Sequence, residues 1–427
     1  MNRRRLVSTT VLTALAAGVM ALGLTWRPSI AAINPPKASS FPASLVDRGA
    51  TRAKLGDCAV CHTTAGGRPL AGGRPLATPF GTLFASNITP DADTGIGNWS
   101  YDAFRRAMRD GVSRTGSHLY PALPYDHYTH VTESDLRAIY AYLMTRRPVH
   151  APKPDNKLIF PLGFRPLLAG WKLLYLHHGD VPYDKDQSAQ YNRGAYLAEG
   201  LGHCGSCHTP RNLMGAEVAS NAYAGGIAEG WRAPPLNTAN PAARKWTAES
   251  LYTFLRTGVS PDHSAAGGPM GPVVESLSSV PEEDVRALSV YFAAKMGNVP
   301  ASKVPDVQVD RRDEAVAAFP DGAKIFAGAC AGCHGSGAPM MAQGRPGLGL
   351  STDLTDSKPT SAIQAVLQGI EPPVEGRGPK MPAFAPSLTD EQVAAVLGYA
   401  RTRYSREPAW SHLERDVRQA RKEGGQP

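Results

Sequence analysis

Cys58-Ala-Val-Cys61-His62, Cys204-Gly-Ser-Cys207-His208 and Cys330-Ala-Gly-Cys333-His334 are copies of one pattern, Cys-x-x-Cys-His, and together they use all six cysteines of the chain. The spacing is the attachment signature of c-type haem. Two thiols three positions apart lie on one helical turn, where each can form a thioether to a vinyl group of the macrocycle. The histidine that follows points its imidazole at the iron as proximal ligand. A redox-active or zinc-binding Cys-x-x-Cys pair beside a chance histidine is the competing account, and histidine at the same place after every pair weighs against it. A disulfide framework would scatter cysteines elsewhere, and none are scattered. The motifs therefore predict three covalently bound haem c groups, attached through Cys58, Cys61, Cys204, Cys207, Cys330 and Cys333, with His62, His208 and His334 as iron ligands.

At 427 residues the chain has room for about three domains. One motif falls in each, and each unit can bury its own core around a porphyrin. Glycine (43 residues) and proline (37) are abundant, as expected where short helices are joined by long shaped loops. The formal charge of +8 sits mostly at the ends: Arg3, Arg4 and Arg5 supply three, and from Arg401 onward seven Lys/Arg face four Asp/Glu. Haem propionates would turn the remaining body mildly acidic, so the charge is no argument for a nucleic-acid partner.

The three arginines precede a largely apolar run over residues 7–26. As a helix this run would span about 30 Å, the thickness of a bilayer core. Ser29-Ile30-Ala31-Ala32 offers a signal-peptide cleavage site. Cleaved or retained, residues 1–33 leave the arginines in the cytoplasm and export the remainder. A retained single anchor is the favoured reading.

Three passages then follow one plan. A helix leads into each motif, opened by Arg48-Gly49-Ala50, Arg193-Gly194-Ala195 and Gly322-Ala323. After a long loop comes an amphipathic helix that ends at a glycine: 101–109 before Gly111, 249–256 before Gly258, 361–368 before Gly369. Glycine there suits a left-handed cap. A closing helix starts with an acidic first turn at Thr132-Glu133-Ser134-Asp135, Pro281-Glu282-Glu283-Asp284 and Thr389-Asp390-Glu391. Its apolar positions recur at helical spacing: Leu136, Ile139, Tyr140 and Leu143; Val285, Leu288 and Phe292; Val393, Val396, Leu397 and Ala400. The fold expected is all-α: three tandem cytochrome c domains with long loops at 42–186, 187–305 and 306–404, plus an N-terminal anchor or signal helix and a charged tail at 405–427. In the tail, Trp410, Leu413 and Val417 share a stripe, read as a short surface helix with a frayed end. Residues 158–176 are apolar and aromatic, but Pro161, Arg165, Pro166 and Lys172 argue against a spanning helix. That stretch packs between domains, docks a partner subunit, or meets the membrane interface.

Sixth ligands are sought by register. Met270 lies twelve residues after Gly258, and Met381 twelve after Gly369, each beside a proline. Methionine usually fills apolar gaps, but the shared offset makes both distal ligands, and thioether sulfur favours ferrous iron. The same count in the first repeat reaches Leu123, and the spacing Trp99 to Leu123 equals that of Trp246 to Met270. Leucine cannot bind iron. His118, His127 and His130 flank the position; His127 is the preferred ligand and His118 the runner-up. A peroxidase-like haem enzyme with an open iron at this first haem is the rival from another class.

Further residues carry a family resemblance. Gly56-Asp57-Cys58, Thr78-Pro79-Phe80-Gly81-Thr82, Asn87-Ile88-Thr89-Pro90-Asp91, Thr94-Gly95-Ile96-Gly97, Leu119-Tyr120-Pro121-Ala122 and Cys207-His208-Thr209-Pro210-Arg211-Asn212 resemble three-haem cytochrome subunits of periplasmic dehydrogenase complexes in bacteria. The resemblance runs from about residue 47 to 403. It implies an electron-transfer subunit, not an enzyme by itself, on the periplasmic face of the inner membrane. Such a subunit takes electrons from a catalytic dehydrogenase subunit and passes them to ubiquinone or a terminal oxidase. Many members with quinoprotein alcohol or flavoprotein sugar-acid dehydrogenase partners carry methionine where this chain has Leu123. The stretch Leu123-Pro124-Tyr125-Asp126-His127-Tyr128 is more similar to the subset partnered with molybdenum-hydroxylase-type dehydrogenases of aldehydes or N-heterocycles, such as nicotinate or isoquinoline. That similarity implies a molybdopterin-binding partner and a small iron–sulfur subunit.

Overall fold

Each motif sits at the end of a leading helix and is covered by a closing helix. The computed structural model describes residues 25–299, 309–338, 347–372, 374 and 380–424, together with Gly18 and Gly23. The first helix pair is Ala43–Leu55 with Glu133–Met144, the second Ala189–Glu199 with Glu282–Lys295, and the third Pro320–Ile325 with Asp390–Tyr404. The chain divides into two compact units, Met1–Val181 and Pro182–Pro427. One pair lies in the first unit and two in the second. Most of the apolar run read as an anchor, and the boundary expected at 305/306, lie outside the described residues. Among the described residues no helix is long and apolar enough to cross a membrane.

The helices of each pair meet at a glycine. A Cβ on Gly49 would lie 1.9 Å from the carbonyl oxygen of Ala138, on Gly194 2.0 Å from that of Ala287, and on Gly322 2.1 Å from that of Ala395. In every pair the glycine also faces the Cβ of a tyrosine, Tyr142, Tyr291 or Tyr399. Only a residue without a side chain lets two backbones come this close. Salt bridges brace the first two pairs, Arg52–Asp135 at 3.0 Å and Arg193–Asp284 at 2.8 Å. The apolar stripes read in the closing helices are buried throughout.

Helix ends follow local chemistry. The side chains of Ser100, Thr132, Ser188, Thr247 and Thr389 each accept a hydrogen bond from the backbone N–H three residues on, satisfying donors that a helix leaves open. Gly111 and Gly258 end their helices in the left-handed conformation. Gly369 departs from that expectation, pairing φ 76° with ψ −176°. The next residue, Ile370, enters an antiparallel bridge with Met381, so the chain must leave the helix extended.

Two small sheets add to the helical plan. Strands β1 (Pro75–Thr78), β2 (Gly81–Phe84) and β3 (Lys157–Leu158) form one antiparallel sheet, with Leu76 opposite Leu83 and Gly81 opposite Leu158. Strands β4 (Gly226–Ala228) and β5 (Trp231–Ala233) form a hairpin. Two to four residues per strand are too few to leave an alternating pattern. The tail forms the helix expected from its stripe, and that helix is docked. Its helix Leu413–Gly424 buries Leu413, Val417 and Ala420 against Ile363, Leu367, Val393 and Leu397, and Arg421 donates to Asp390 and to the carbonyls of Ala385 and Leu388.

The apolar stretch 158–176 contains a helix, Leu167–Tyr175. Trp171 is buried, edge-on to Tyr125 at 5.9 Å, while Phe160, Leu173 and Leu174 are exposed. Lys172 turns inward. Its ammonium donates to the carbonyls of Asp110 at 2.7 Å and Gly111 at 2.5 Å, capping the end of the helix Tyr101–Asp110.

The glycine contact makes a test. Gly194→Ala is expected to destabilise the second unit by about 1–3 kcal/mol, the usual cost of overpacking. Gly170→Ala, where a Cβ meets nothing within 4 Å, should stabilise by about 0.5–1 kcal/mol because helical alanine replaces glycine. Denaturant unfolding of the two variants reads the difference, and equal midpoints would remove the helix crossing from its structural role.

Candidate functional site

Each leading helix delivers its motif into a short helical segment: Cys58–His62, Gly205–His208 and Ala331–His334. The chain turns sharply before the first two, at Asp57 (φ 49°) and His203 (φ 35°). The third passes through a π turn, Phe326–Cys330. Different local routes thus lead into the same cysteine–histidine segment.

The imidazoles of His62 and His208 are held alike. Nδ1 of His62 donates to the carbonyl of Ser86 at 2.6 Å, and Nδ1 of His208 to that of Pro234 at 2.7 Å. A carbonyl only accepts, so the proton stays on Nδ1 and Nε2 keeps its lone pair. That is the tautomer an iron ligand needs, and the bond behind the ring sets its orientation. Burial lowers both imidazole pKa values and keeps the rings neutral. Burial likewise pushes the Cys58 thiol up to about 12, with Asp57 and Cys61 adding to it, and the Cys330 thiol up to about 11, with Cys333 adding. Surroundings that disfavour thiolate suit a neutral thioether better than a charged sulfur ligand. All six cysteines are described, and none is in a disulfide.

Around the third motif the expected ligands come together. One cavity is lined by Cys330, Cys333, His334 and Met381, with apolar walls that include Phe326, Leu354 and Leu397. An apolar cleft carrying two thiols, an imidazole and a thioether matches the chemistry of a porphyrin attached through its vinyl groups. Met381 is positioned by its backbone, which exchanges two hydrogen bonds with Ile370 at 2.9 and 3.0 Å. His263 of the second repeat lines the same cavity, a residue the sequence reading passed over. Met270 opens the helix Met270–Leu277, behind Gly267 and Gly268, which lie against the Trp231 ring.

In the first repeat Leu123 precedes a short helix, Tyr125–Tyr128, that contains the buried His127. The Tyr128 hydroxyl donates to the carbonyl of Gly56 at 3.1 Å, seating this helix against the start of the first motif. His118 is committed elsewhere. Its Nε2 donates to the carbonyl of Thr25 at 2.8 Å, and its Nδ1 accepts from Lys172 at 3.0 Å. Both nitrogens are therefore engaged in hydrogen bonds.

Helix pairs that present Cys-x-x-Cys-His segments, two of them with the imidazole Nδ1 bonded to a backbone carbonyl, define a c-type cytochrome. A family profile described as cytochrome c oxidase, cbb3-type, subunit III matches residues 317–399. A nicotinate dehydrogenase subunit of Pseudomonas putida is 44% identical over 416 residues, which cover 96% of this chain and 34% of that protein. The chain therefore spans about a third of that relative's length. The gluconate 2-dehydrogenase cytochrome c subunit of Pantoea cypripedii is 37% identical over 401 residues, 89% of this chain and 90% of that one. The fructose dehydrogenase cytochrome subunit of Gluconobacter japonicus is 34% identical over 397 residues, 87% and 81% of the two chains. The chain belongs to the cytochrome c subunits of dehydrogenase complexes. Membership implies covalently bound haem c and a part in electron transfer.

The two histidines of the first repeat are separable by experiment. His118→Leu should destabilise the first unit by about 1–3 kcal/mol, because buried Lys172 loses an acceptor, while the low-spin haem signals in electron paramagnetic resonance stay as in the parent. His127→Ala should change one of those signals. A changed signal in His118→Leu and none in His127→Ala would reverse the assignment.

Proposed function

We propose that this chain is a triheme c-type cytochrome that takes electrons from a catalytic dehydrogenase subunit and passes them to ubiquinone or a terminal oxidase. The observation that carries the reading is the Nδ1–carbonyl bond of His62 and His208, which reserves Nε2 for iron in two Cys-x-x-Cys-His motifs, with a third motif of the same form at Cys330. Haem, when bound, supplies a one-electron iron couple. The chain's own residues hold and tune it in three cytochrome c domains, over residues 42–186, 187–305 and 306–404. His62, His208 and His334 are the proximal ligands. Met270 and Met381 are distal ligands whose sulfur raises the potential, and His127 completes the first site in place of Leu123. The apolar walls exclude water and so favour the less charged ferrous state.

The partner we propose is a molybdenum-hydroxylase-type dehydrogenase of aldehydes or N-heterocycles, with a small iron–sulfur subunit. The Leu123–Tyr128 resemblance and the similarity to the nicotinate dehydrogenase subunit support it. A partner that oxidises a sugar or sugar acid is the second reading, supported by the near full-length similarity to the gluconate and fructose dehydrogenase subunits. The complex would lie on the periplasmic face of the bacterial inner membrane, anchored through residues 7–26 or exported after cleavage.

The complex isolated through this chain is expected to carry three haems per chain by intact mass, and molybdenum by elemental analysis. Two haems or fewer would overturn the triheme reading, and absence of molybdenum would favour the sugar-oxidising partner. Met270→Ala and Met381→Ala should each lower the potential of one haem, a different one in each variant, without releasing it, since the thioethers remain. Redox titrations indistinguishable from the parent would sink the distal assignment.

A further inference from the structure

His263 is wholly buried, and neither ring nitrogen has a hydrogen-bond partner. Its position is well defined: the imidazole stacks on Trp246, centroids 3.5 Å apart and planes 9° from parallel. It belongs to the loop between Gly258 and Met270 in the second repeat, yet it lines the cavity of the third motif together with Cys330, Cys333, His334 and Met381. Burial pushes its pKa down to about 4, so at neutral pH the ring is uncharged and offers one N–H. Leaving such a group unsatisfied costs about 1–3 kcal/mol, and the stack on Trp246 holds the ring in place beside the cavity. The partner must come from what fills the cavity.

On the reading that haem fills it, the choice narrows. A haem presents hydrogen-bonding atoms only at its propionates, and its iron otherwise takes the two axial ligands already assigned to His334 and Met381. A neutral imidazole N–H matches a carboxylate acceptor. We propose that His263 reaches across from the second repeat and donates a hydrogen bond to a propionate of the haem attached at Cys330 and Cys333. The second repeat thereby sets part of the potential of the third haem. A donated hydrogen bond withdraws charge from the carboxylate and so favours ferrous iron.

The inference rests on the triheme reading, and the test keeps the two apart. In the holoprotein, intact mass first establishes three haems; fewer would mean that the underlying reading has failed. His263→Phe keeps the stack and removes the donor, whereas His263→Gln keeps a donor. The third haem is identified as the one whose potential falls in Met381→Ala. His263→Phe should shift that same potential downward and leave the other two in place, and His263→Gln should return it toward the parent value. With three haems present, an unmoved potential in His263→Phe overturns the inference alone. Absence of the near-infrared thioether-ligation band of that haem in the parent would also overturn it, since His263 would then be free to take the axial place assigned to Met381. If His263→Phe does not accumulate, resonance Raman of the parent decides. The propionate bending vibration should lie at a hydrogen-bonded frequency that moves in His263→Gln, and an unbonded frequency overturns the assignment.

Discussion

The backbone contact between each leading helix and its closing helix governs the placement of everything else. Gly49, Gly194 and Gly322 each face a carbonyl on the partner helix, and a Cβ at any of them would lie within about 2 Å of it. Two helices that touch backbone to backbone have little freedom to slide or rotate, since the flanking tyrosine and alanine lock into the glycine notch. The motif follows directly on the leading helix, so the crossing also fixes where the cysteines and histidine emerge. The salt bridges beside the notch use different arginine positions, Arg52 in the first pair and Arg193 in the second. The repeat thus keeps the glycine and lets its electrostatic brace vary.

What sequence alone conveys follows from which interactions are local. Helix starts at Thr132 and Thr389, helix stops at Gly111 and Gly258, and the buried stripes of the closing helices are all written within a few residues of where they act. Lys172 is the opposite case. In an apolar run a lysine reads as a residue that must face water, but here two carbonyls at a helix end and the His118 ring give its ammonium three acceptors. The tail shows the same limit. Its stripe of Leu413 and Val417 is legible, but the surface that receives it is assembled from Ile363, Leu367, Val393 and Leu397, which no local pattern connects to it.

The site divides in the same way. The Cys-x-x-Cys-His motifs and the twelve-residue offset to Met270 and Met381 are sequence features. The carbonyls of Ser86 and Pro234 that choose the histidine tautomer are not, because any residue type supplies a carbonyl. His118 ranked behind His127 by position, and only the three-dimensional arrangement engages both its nitrogens. His263 left a trace that could have been followed: it lies in the loop that supplies Met270, seven residues before it. What no alignment of repeats could reveal is that its ring lines the cavity of the next repeat.

That crossing belongs to a larger connection inside the second unit. Strand β5 ends one residue before Pro234, whose carbonyl orients His208. The same strand is joined to the helix Thr360–Gln368 of the third repeat. Arg232 pairs with buried Asp356 at 2.8 Å, the Arg232 amide and carbonyl both bond the Ser361 hydroxyl, and Gln364 donates to the carbonyl of Gly230. That helix ends at Gly369, and the next residue pairs with Met381. A continuous chain of short contacts therefore runs from the carbonyl that orients His208 to the backbone that positions Met381. Electron tunnelling falls off exponentially with distance, so a pair of cofactors held by separately moving domains would pass electrons at an unsteady rate. On the triheme reading, joining the two supports would hold two haems at one separation, and a buried carboxylate, Asp356, serves this joint rather than a core.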